Sequence, residues 1–205
     1  MFSSLASWVQ DVIEQLGYLG VALLVVAENV FPPIPSEIVL PFAGFVARRG
    51  SDSVVIMILA ATVGSVAGAL IMYWIAAVIG DDRLHAFTRK FGKWVQIRES
   101  DLTKAEEWFD RHAMAAVLVG RCVPLIRSVV SIPAGFRRMK LVPYMLYTFL
   151  GSLVWNIALV GAGALLGDNW ERVGSYLGVF QWVVIAGVIA VCARFVFRVY
   201  KRKRR

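Results

Sequence analysis

The segment "ENVFPPIPSE", residues 28–37, interrupts a long apolar stretch near the start of this 205-residue chain. It has a carboxylate at each end and three prolines, Pro32, Pro33 and Pro35, between them. Proline lacks a backbone donor and clashes with the preceding helical turn, so a regular helix does not run through these residues. The apolar arms within 17–47 are each about half of the roughly 20 residues that cross a bilayer. The pattern predicts a re-entrant hairpin of two half-helices, with a single kinked spanning helix as the alternative.

The composition predicts a polytopic membrane protein with helical spans. The chain is 59% hydrophobic and has a mean hydropathy of +0.67, whereas globular chains average about 45–50% apolar residues. Residues 54–80 and 141–167 contain no charged side chain, and each stretch is long enough to span with some tilt. A third apolar stretch within 173–205 predicts a C-terminal transmembrane helix followed by a basic tail. We therefore expect an all-α membrane fold.

The distribution of basic residues predicts the sidedness of the chain, whose net charge is +8. The tail ends in "KRKRR", residues 201–205, directly after an apolar stretch. Such a run is typical of a cytoplasmic anchor that contacts anionic lipid headgroups, and we expect no nucleic-acid partner. The charged loop 81–112 is predicted to be cytoplasmic as well. Arg48 and Arg49 would then face outward against the same rule, so the side of the N-terminus stays open.

Two shorter helices are predicted outside the spans. Residues 1–16 place apolar side chains at helical spacing, which is typical of an amphipathic helix. This helix lies in the membrane interface or packs on the protein's own bundle. In the charged loop, Thr103 and Glu106 form a T-x-x-E pattern that predicts the start of a surface helix. Histidines 85 and 112 show no ligand spacing, so we expect both to be solvated and predict no metal site, disulfide or cofactor.

Residues 113–135 form the second interruption of the apolar pattern. They contain Arg121 and Arg127, each of which costs several kcal/mol at the centre of a bare membrane helix. Pro124 and Pro133 are expected to break the helix. Since the segments on both sides are predicted to be cytoplasmic, a full span would contradict the topology. A second re-entrant hairpin is therefore expected, because charges at membrane depth are tolerated where protein or a wet cavity surrounds them.

The two halves of the chain echo each other. "PSEIVLPFAGF", residues 35–45, and "IRSVVSIPAGF", residues 126–136, both end in Ala-Gly-Phe, and a Gly-Ser pair lies in each following span. The order hairpin, span, loop, hairpin, span places the two hairpins on opposite sides of the membrane. We predict an inverted repeat over residues 17–172, the plan of many secondary transporters whose sites lie where broken helices meet.

The candidate site combines acids from the first hairpin with arginines from the second. Arginine suits phosphate because its planar fork stays charged at any working pH, and a buried glutamate can take up and release a proton. The charges either form structural ion pairs between the hairpins or serve transport, and the two readings are compatible. The predicted phosphate-binding residues are Arg121, Arg127, Ser36 and Ser128, the predicted proton-coupling residues are Glu28 and Glu37, and the predicted hairpin-shaping residues are Pro32, Pro33, Pro35, Pro124 and Gly135.

The stretches "ENVFPPIPSEIVLPFAG" and "GRCVPLIRSVVSIPAGFRRM" resemble the DedA family of bacterial membrane proteins, which has a SNARE-associated or VTT domain. The resemblance covers about residues 17–170 and includes "GSLVWN" with Trp155. It departs from the family at Cys122, where an aromatic residue is common, and at Ala69, where an acid is frequent. The second departure puts in doubt any further acidic site on that helix.

The resemblance implies opposed re-entrant hairpins and lipid movement across the bacterial inner membrane. The implied substrate is a polyprenyl phosphate, chiefly undecaprenyl phosphate, with the glutamates implicated in proton coupling and the arginines in phosphate handling. We therefore expect a proton-coupled flippase with a cytoplasmic C-terminus and no enzymatic activity. A phospholipid flippase or scramblase, a small-ion antiporter and a polyprenyl pyrophosphate phosphatase are the alternatives, and homo-oligomers are compatible with the sequence.

Overall fold

The computed structural model describes residues 2–31, 36–50, 52–81, 83, 85, 99–124 and 126–166. All regular structure in these residues is helical. The helices are α1 (Phe2–Val30), α2 (Ser36–Arg49), α3 (Val54–Ile79), α4 (Glu99–Arg121), α5 (Ile126–Val129), α6 (Ser131–Phe136) and α7 (Leu141–Leu166). The predicted C-terminal transmembrane helix and basic tail, the three prolines of the first hairpin and most of the loop 81–98 lie outside the described residues.

Three of the described helices are long and apolar enough to cross a membrane. They are the part of α1 from Trp8 to Val30, α3 and α7. Helices α3 and α7 coincide with the predicted spans 54–80 and 141–167, because long uncharged apolar segments favour unbroken helices. Pro143 lies in the first turn of α7, a position that a helix tolerates. The all-helical membrane architecture is thus confirmed.

Two kinks divide the longer helices where the sequence predicted boundaries. In α1, Gly17 has φ +53° and ψ −127°, a conformation that only glycine adopts without strain. This kink lies at the predicted boundary between segment 1–16 and the predicted first hairpin. In α4, His112 is non-helical, with φ −127° and ψ 19°, at the predicted boundary between the loop and the second hairpin. Each kink re-aims the short helical arm that carries site residues at its end.

The N-terminal part of α1 packs on the bundle. Val9 and Ile13 are buried in the same apolar core as Val21 and Leu40, while Trp8 remains half exposed. The sequence left open whether this segment lies in the membrane interface or packs on the protein's own helices. Its buried face packs on those helices. Its exposed tryptophan is typical of a residue at a membrane interface.

One prediction about helix boundaries is wrong. Helix α4 begins at Glu99, so Thr103 lies inside the helix and is not its N-terminal cap. Pro133 lies in the first turn of α6, and the helix is interrupted three residues before it, at Val130 between α5 and α6. Pro41 lies inside α2, in its second turn, where the helix accommodates a proline.

Glycines bring the helices together by corresponding contacts in the two halves. A Cβ on Gly64 of α3 would lie 2.4 Å from the carbonyl oxygen of Ala22 in α1. A Cβ on Gly151 of α7 would lie 2.7 Å from the carbonyl oxygen of Leu118 in α4. The glycine of each Gly-Ser pair therefore packs its long helix directly onto the short arm that precedes it in the same half.

The glycines of the two Ala-Gly-Phe sequences make the opposite kind of contact, between halves. Gly44 of α2 faces the carbonyl of Val160 in α7, and Gly135 of α6 faces the carbonyl of Tyr73 in α3. In both positions an added Cβ would lie within 2.3 Å of backbone oxygen, so no larger residue fits without moving a helix. Each half thus lays its second arm on the long helix of the other half, and the candidate site lies where these arms end.

An ion-pair network closes one end of the bundle. The Arg137 guanidinium donates to both carboxylate oxygens of Asp110, at 3.0 and 2.5 Å, and to Asp81 at 2.6 Å. The hydrogen bond to Asp110 and the attraction of both carboxylates raise the pKa of Arg137 above its ordinary value, although burial opposes this. The network ties the end of α3 to α4 and to the segment that follows α6.

Candidate functional site

A buried ion pair joins the two halves of the chain. Glu28 lies in the last turn of α1 and Arg127 lies in α5, and the two side chains are 1% and 7% exposed. Arg127 Nη2 contacts Glu28 Oε1 directly. Two isolated charges at this depth would each carry a large desolvation penalty, and the pairing offsets much of it. The predicted partnership between an acid of the first half and an arginine of the second is present in the structure.

The long helix α7 forms one wall of this pair. The Arg127 guanidinium carbon lies 6.0 Å from the centre of the Trp155 ring. This distance is at the outer limit for attraction between a cation and an aromatic face. Trp155 is itself buried, so Arg127 is enclosed by protein on the α7 side.

Arg121, the last residue of α4, is also fully buried but has different partners. Its Nη1 donates to Asn29 Oδ1 at 3.0 Å, and its Nη2 donates to Ser131 Oγ at 2.6 Å and to the Tyr144 hydroxyl at 3.4 Å. These acceptors come from α1, α6 and α7. None of them carries a negative charge. Arg121 is therefore hydrogen-bonded by a neutral set of groups, which we name the cradle: Asn29, Ser131 and Tyr144.

Two of the cradle groups are fixed by backbone carbonyls. The Asn29 amide nitrogen donates to the Val25 carbonyl at 2.8 Å, which turns its oxygen toward Arg121. The Tyr144 hydroxyl donates to the Ala69 carbonyl at 2.9 Å, which leaves its oxygen to accept from Arg121. Ala69, where the family frequently has an acid, thus contributes a backbone acceptor and no charge.

Arg121 lacks a counter-ion within the part of the chain that the structure describes. No carboxylate of those residues pairs with it, and its Nε atom is buried without a hydrogen-bond partner. The hydroxyl of Thr148 is also buried without a partner among the same residues. Thr148 follows Tyr144 by one helical turn, on the buried face of α7 that reaches Gly151 beside Arg121. An uncompensated charge and two unused polar atoms therefore lie along one buried face.

The remaining predicted site residues stand apart from this arrangement. Ser36 is buried at the start of α2, and Glu37 and Ser128 are half-buried. None of the three shares an ion pair or hydrogen bond with Glu28, Arg121 or Arg127 in the described ranges. Pro124 lies in the turn between α4 and α5, where its carbonyl accepts from the Ile126 N–H at 2.7 Å. Gly135 lies inside α6, at the close contact with α3 described above.

A second polar cluster lies between the two long helices. The amide nitrogen of Asn156 in α7 donates to the hydroxyls of Thr62 and Ser65 in α3, at 3.1 and 3.5 Å. All three side chains are buried, and Thr62 also donates to the Ile58 carbonyl at 2.7 Å. Side-chain hydrogen bonds between membrane helices contribute about 0.6 to 2 kcal/mol each, so this cluster holds α3 against α7.

A third cluster lies outside the buried core and includes a histidine that was expected to be solvated. His85 Nε2 lies 3.1 Å from Glu106 Oε1, and His85, Glu106 and Asp81 offer three ligand atoms within 4.8 Å of one another. The expectation that His85 has no possible ligand partners is wrong, because the fold brings Glu106 and Asp81 beside it. Three such ligands are one fewer than the four of a structural zinc site, and Asp81 is already bound by Arg137.

None of the three cradle residues was among the site residues predicted from the sequence. Asn29 follows Glu28 directly, and a polar amide at membrane depth is a signal that could have singled it out. Ser131 and Tyr144 carry no comparable signal, since serine and tyrosine are common in membrane helices. Their role depends on which helices meet, and residue spacing alone does not contain that information.

Comparison with known proteins places the chain among membrane proteins of one family. The model of the VTT domain matches residues 34–165. "Alkaline phosphatase-like protein" of Lactococcus lactis subsp. cremoris is 44% identical over 91% of this chain and 89% of its own length. "Undecaprenyl phosphate transporter A" of Staphylococcus aureus is 32% identical over 96% of this chain and 97% of its own length.

A more distant relative carries the name of the family that the sequence resembles. "Protein DedA" of Escherichia coli is 24% identical over 60% of this chain and 61% of its own length. No solved structure matches the chain significantly. The matched region contains Ser36, α3, both buried arginines and α7. The chain belongs to the VTT-domain family of membrane proteins, the DedA family.

Proposed function

We propose that this chain moves a phosphate-bearing lipid across the bacterial cytoplasmic membrane, with undecaprenyl phosphate as substrate and protons as the coupling ion. The names of the Staphylococcus aureus relative and of a Bacillus subtilis relative, both "Undecaprenyl phosphate transporter A", support a role in membrane lipid transport. The observation that carries the proposal is the pair of buried arginines beside a buried acid. Guanidinium groups bind phosphate through two parallel hydrogen bonds, and a water-excluded setting strengthens that attraction.

The ion pair of Glu28 and Arg127 provides the coupling step. While Glu28 is ionised it occupies Arg127, and a phosphate competes with it for the guanidinium. When Glu28 takes up a proton the pair is lost, and Arg127 is released toward the phosphate. A proton and a phosphate are therefore taken up together. Such a ligand changes the conformation only by binding one state more tightly than the other.

The repeated contacts of the two halves support an alternating-access scheme. Segments 17–47 and 113–135 are proposed as opposed re-entrant hairpins, and the corresponding glycine contacts make the two halves alike in how their arms pack. In transporters built from inverted repeats, the two halves exchange environments while the site stays near the midplane. The polyprenyl tail remains in the lipid while the headgroup passes between the hairpins. The C-terminus is proposed to lie in the cytoplasm with its basic tail on anionic headgroups.

The test is transport in liposomes of purified protein with labelled undecaprenyl phosphate, with and without a pH gradient. Wild type is expected to move the lipid faster with the gradient, and Arg127→Gln is expected to lose this activity. Arg111→Gln is the matched control, because that arginine is 70% exposed and, among the described residues, pairs with Glu107 on the same helix. Absence of lipid movement under both conditions refutes the proposal.

The same liposomes distinguish the alternatives. Movement that does not respond to the gradient, and that extends equally to phosphatidylethanolamine, indicates a scramblase. Release of free phosphate indicates an enzyme, as the name of the Lactococcus lactis relative suggests for that protein. Proton or sodium flux without lipid movement indicates a small-ion antiporter.

A further inference from the structure

We propose that the two buried arginines have different roles, which deepens the proposed function and rests on it. Among the described residues Arg121 has no counter-ion, and it binds the lipid phosphate in every state. Arg127 joins it only when Glu28 takes up a proton. The neutral cradle of Arg121, formed by Asn29, Ser131 and Tyr144, consists of positioning residues that leave its charge available to the substrate.

The argument starts from the difference between hydrogen bonds and charge. The cradle accepts three hydrogen bonds from the terminal nitrogens of Arg121, so these donors are not left unsatisfied. Its acceptors are an amide oxygen and two hydroxyls, so the positive charge itself is not neutralised. A bare charge in a protein interior costs several kcal/mol, which makes such an arrangement expensive to keep without a use. The unpartnered Nε is a donor that remains for a ligand.

The hydrogen bonds of the cradle residues to the backbone fix their orientation. The Asn29 amide donates to the Val25 carbonyl, and the Tyr144 hydroxyl donates to the Ala69 carbonyl. Their oxygens are thereby fixed toward Arg121, and the guanidinium is held from three helices at once. Since a guanidinium that is already oriented loses little freedom on binding, the arrangement favours capture of an anion.

The charged surroundings of Glu28 define how protonation changes the site. Among the described residues, α5 presents Arg127 directly to Glu28, α4 presents Arg121 through Asn29, and α7 presents Tyr144 behind Arg121. Helix α2 carries Glu37, which makes no ion pair with the described residues. The three charged groups at the centre sum to +1 while Glu28 is ionised and to +2 when it is protonated.

This change in charge identifies the class of substrate. A phosphate monoester carries about −1.5 to −2 at neutral pH, whereas a diester such as a phospholipid carries −1. The protonated site matches the monoester, and the ionised site matches the diester. Above about pH 7, where the monoester keeps its second negative charge because its second pKa is about 6, the preference for a lipid phosphomonoester over a phosphodiester is therefore expected to increase as the pH falls. Glu28→Gln is expected to make this preference independent of pH in the same range.

The decisive variant is Asn29→Asp, which places a carboxylate 3.0 Å from Arg121 Nη1 with almost no change in shape. The built-in counter-ion is expected to weaken binding of farnesyl phosphate at least tenfold. The melting temperature reports the new ion pair together with the loss of the hydrogen bond that the Asn29 amide donates to the Val25 carbonyl. Both are measured on full-length protein in detergent micelles. Asn156→Asp is the control, since Asn156 is equally buried but, among the described residues, donates to hydroxyls. It is expected to lower the melting temperature and to leave the affinity of the folded fraction unchanged.

A second pair of variants tests the cradle if Asn29→Asp does not fold. Tyr144→Phe removes a hydroxyl that contacts Arg121. Tyr73→Phe removes the hydroxyl of the neighbouring tilted ring, which donates to the Met139 carbonyl. Tyr144→Phe is expected to weaken farnesyl phosphate binding about equally at every pH, with the pH dependence retained. Tyr73→Phe is expected to bind like wild type.

The outcomes separate this inference from the proposed function. If wild type neither binds farnesyl phosphate nor moves the lipid, both fail. If wild type does both but Asn29→Asp binds within twofold of it, only the assignment of roles fails.

Discussion

Removing the charge of Glu28 tests the buried ion pair most directly. Glu28→Gln keeps the size of the side chain and leaves the guanidinium of Arg127, 7% exposed, without its counter-ion. Breaking one side of a buried pair costs about 3–5 kcal/mol. For a chain of this size, 1 kcal/mol changes the melting temperature by about 2–4 °C, so a decrease of roughly 6–20 °C is expected.

A double variant separates the loss of a partner from the value of the pair. Glu28→Leu combined with Arg127→Met replaces both charges with apolar side chains of similar length. Replacing a buried pair in this way is often neutral or stabilising by about 1–4 kcal/mol, so the melting temperature is expected to recover. Transport is expected to stay absent, because the variant lacks both the proton acceptor Glu28 and the guanidinium of Arg127 that would bind the phosphate.

The assay is thermal unfolding of purified variants in one detergent, followed by intrinsic fluorescence. Glu107→Gln serves as the control, since its pair with Arg111 is 62% and 70% exposed, and such pairs contribute about 0–1 kcal/mol. If Glu28→Gln melts together with this control, the ion pair does not stabilise the fold as described. If the double variant loses the sum of the two single effects, the two residues are not coupled.

Two further predictions concern the packing of α7 on α2 and the ion-pair network of Arg137 at the end of the bundle. Gly163→Ala is expected to abolish the yield of folded protein, because its Cβ would overlap the Pro41 carbonyl oxygen. Gly161→Ala has no atom within 4 Å of its Cβ and is expected to be neutral or stabilising by up to about 1 kcal/mol. Size-exclusion profiles of the two variants test this difference. Arg137→Gln is expected to speed amide hydrogen exchange across residues 131–140, since it removes the hydrogen bonds to Asp110. The raised pKa of Arg137 keeps it protonated well above neutrality, so its contribution to this protection is fully present at neutral pH and is lost at strongly alkaline pH. Equal exchange in wild type and variant would show that the network does not hold this end closed.

The boundaries of the fold could be predicted from sequence because they depend on local chemistry. The long uncharged apolar stretches predicted α3 and α7, and the composition changes near Gly17 and His112 coincide with the two kinks. The predicted cap at Thr103 failed because the helix continues past a favourable local signal, whose value of about 1 kcal/mol is small beside that of continued helix and packing.

The site could be predicted only in its list of charges. Charged side chains in an apolar segment are too costly to be accidental, so Glu28, Arg121 and Arg127 stand out in any reading of the sequence. Which acid meets which arginine is a different matter. Glu37 looked equivalent to Glu28 in the sequence. Of these two glutamates, only Glu28 contacts a guanidinium among the described residues.

The sequence by itself thus determined that this is a helical membrane protein with two proline-interrupted segments that carry buried charge. The tertiary structure decided the partners: Arg127 on Glu28, and Arg121 in a neutral cradle whose contact with Asn29 links residues 92 positions apart. The physical reason is that the two kinds of interaction act between different sets of residues. Helix length and helix breaking depend on neighbours in the chain, whereas the energy of a buried charge depends on groups within a few ångströms that packing brings from distant helices.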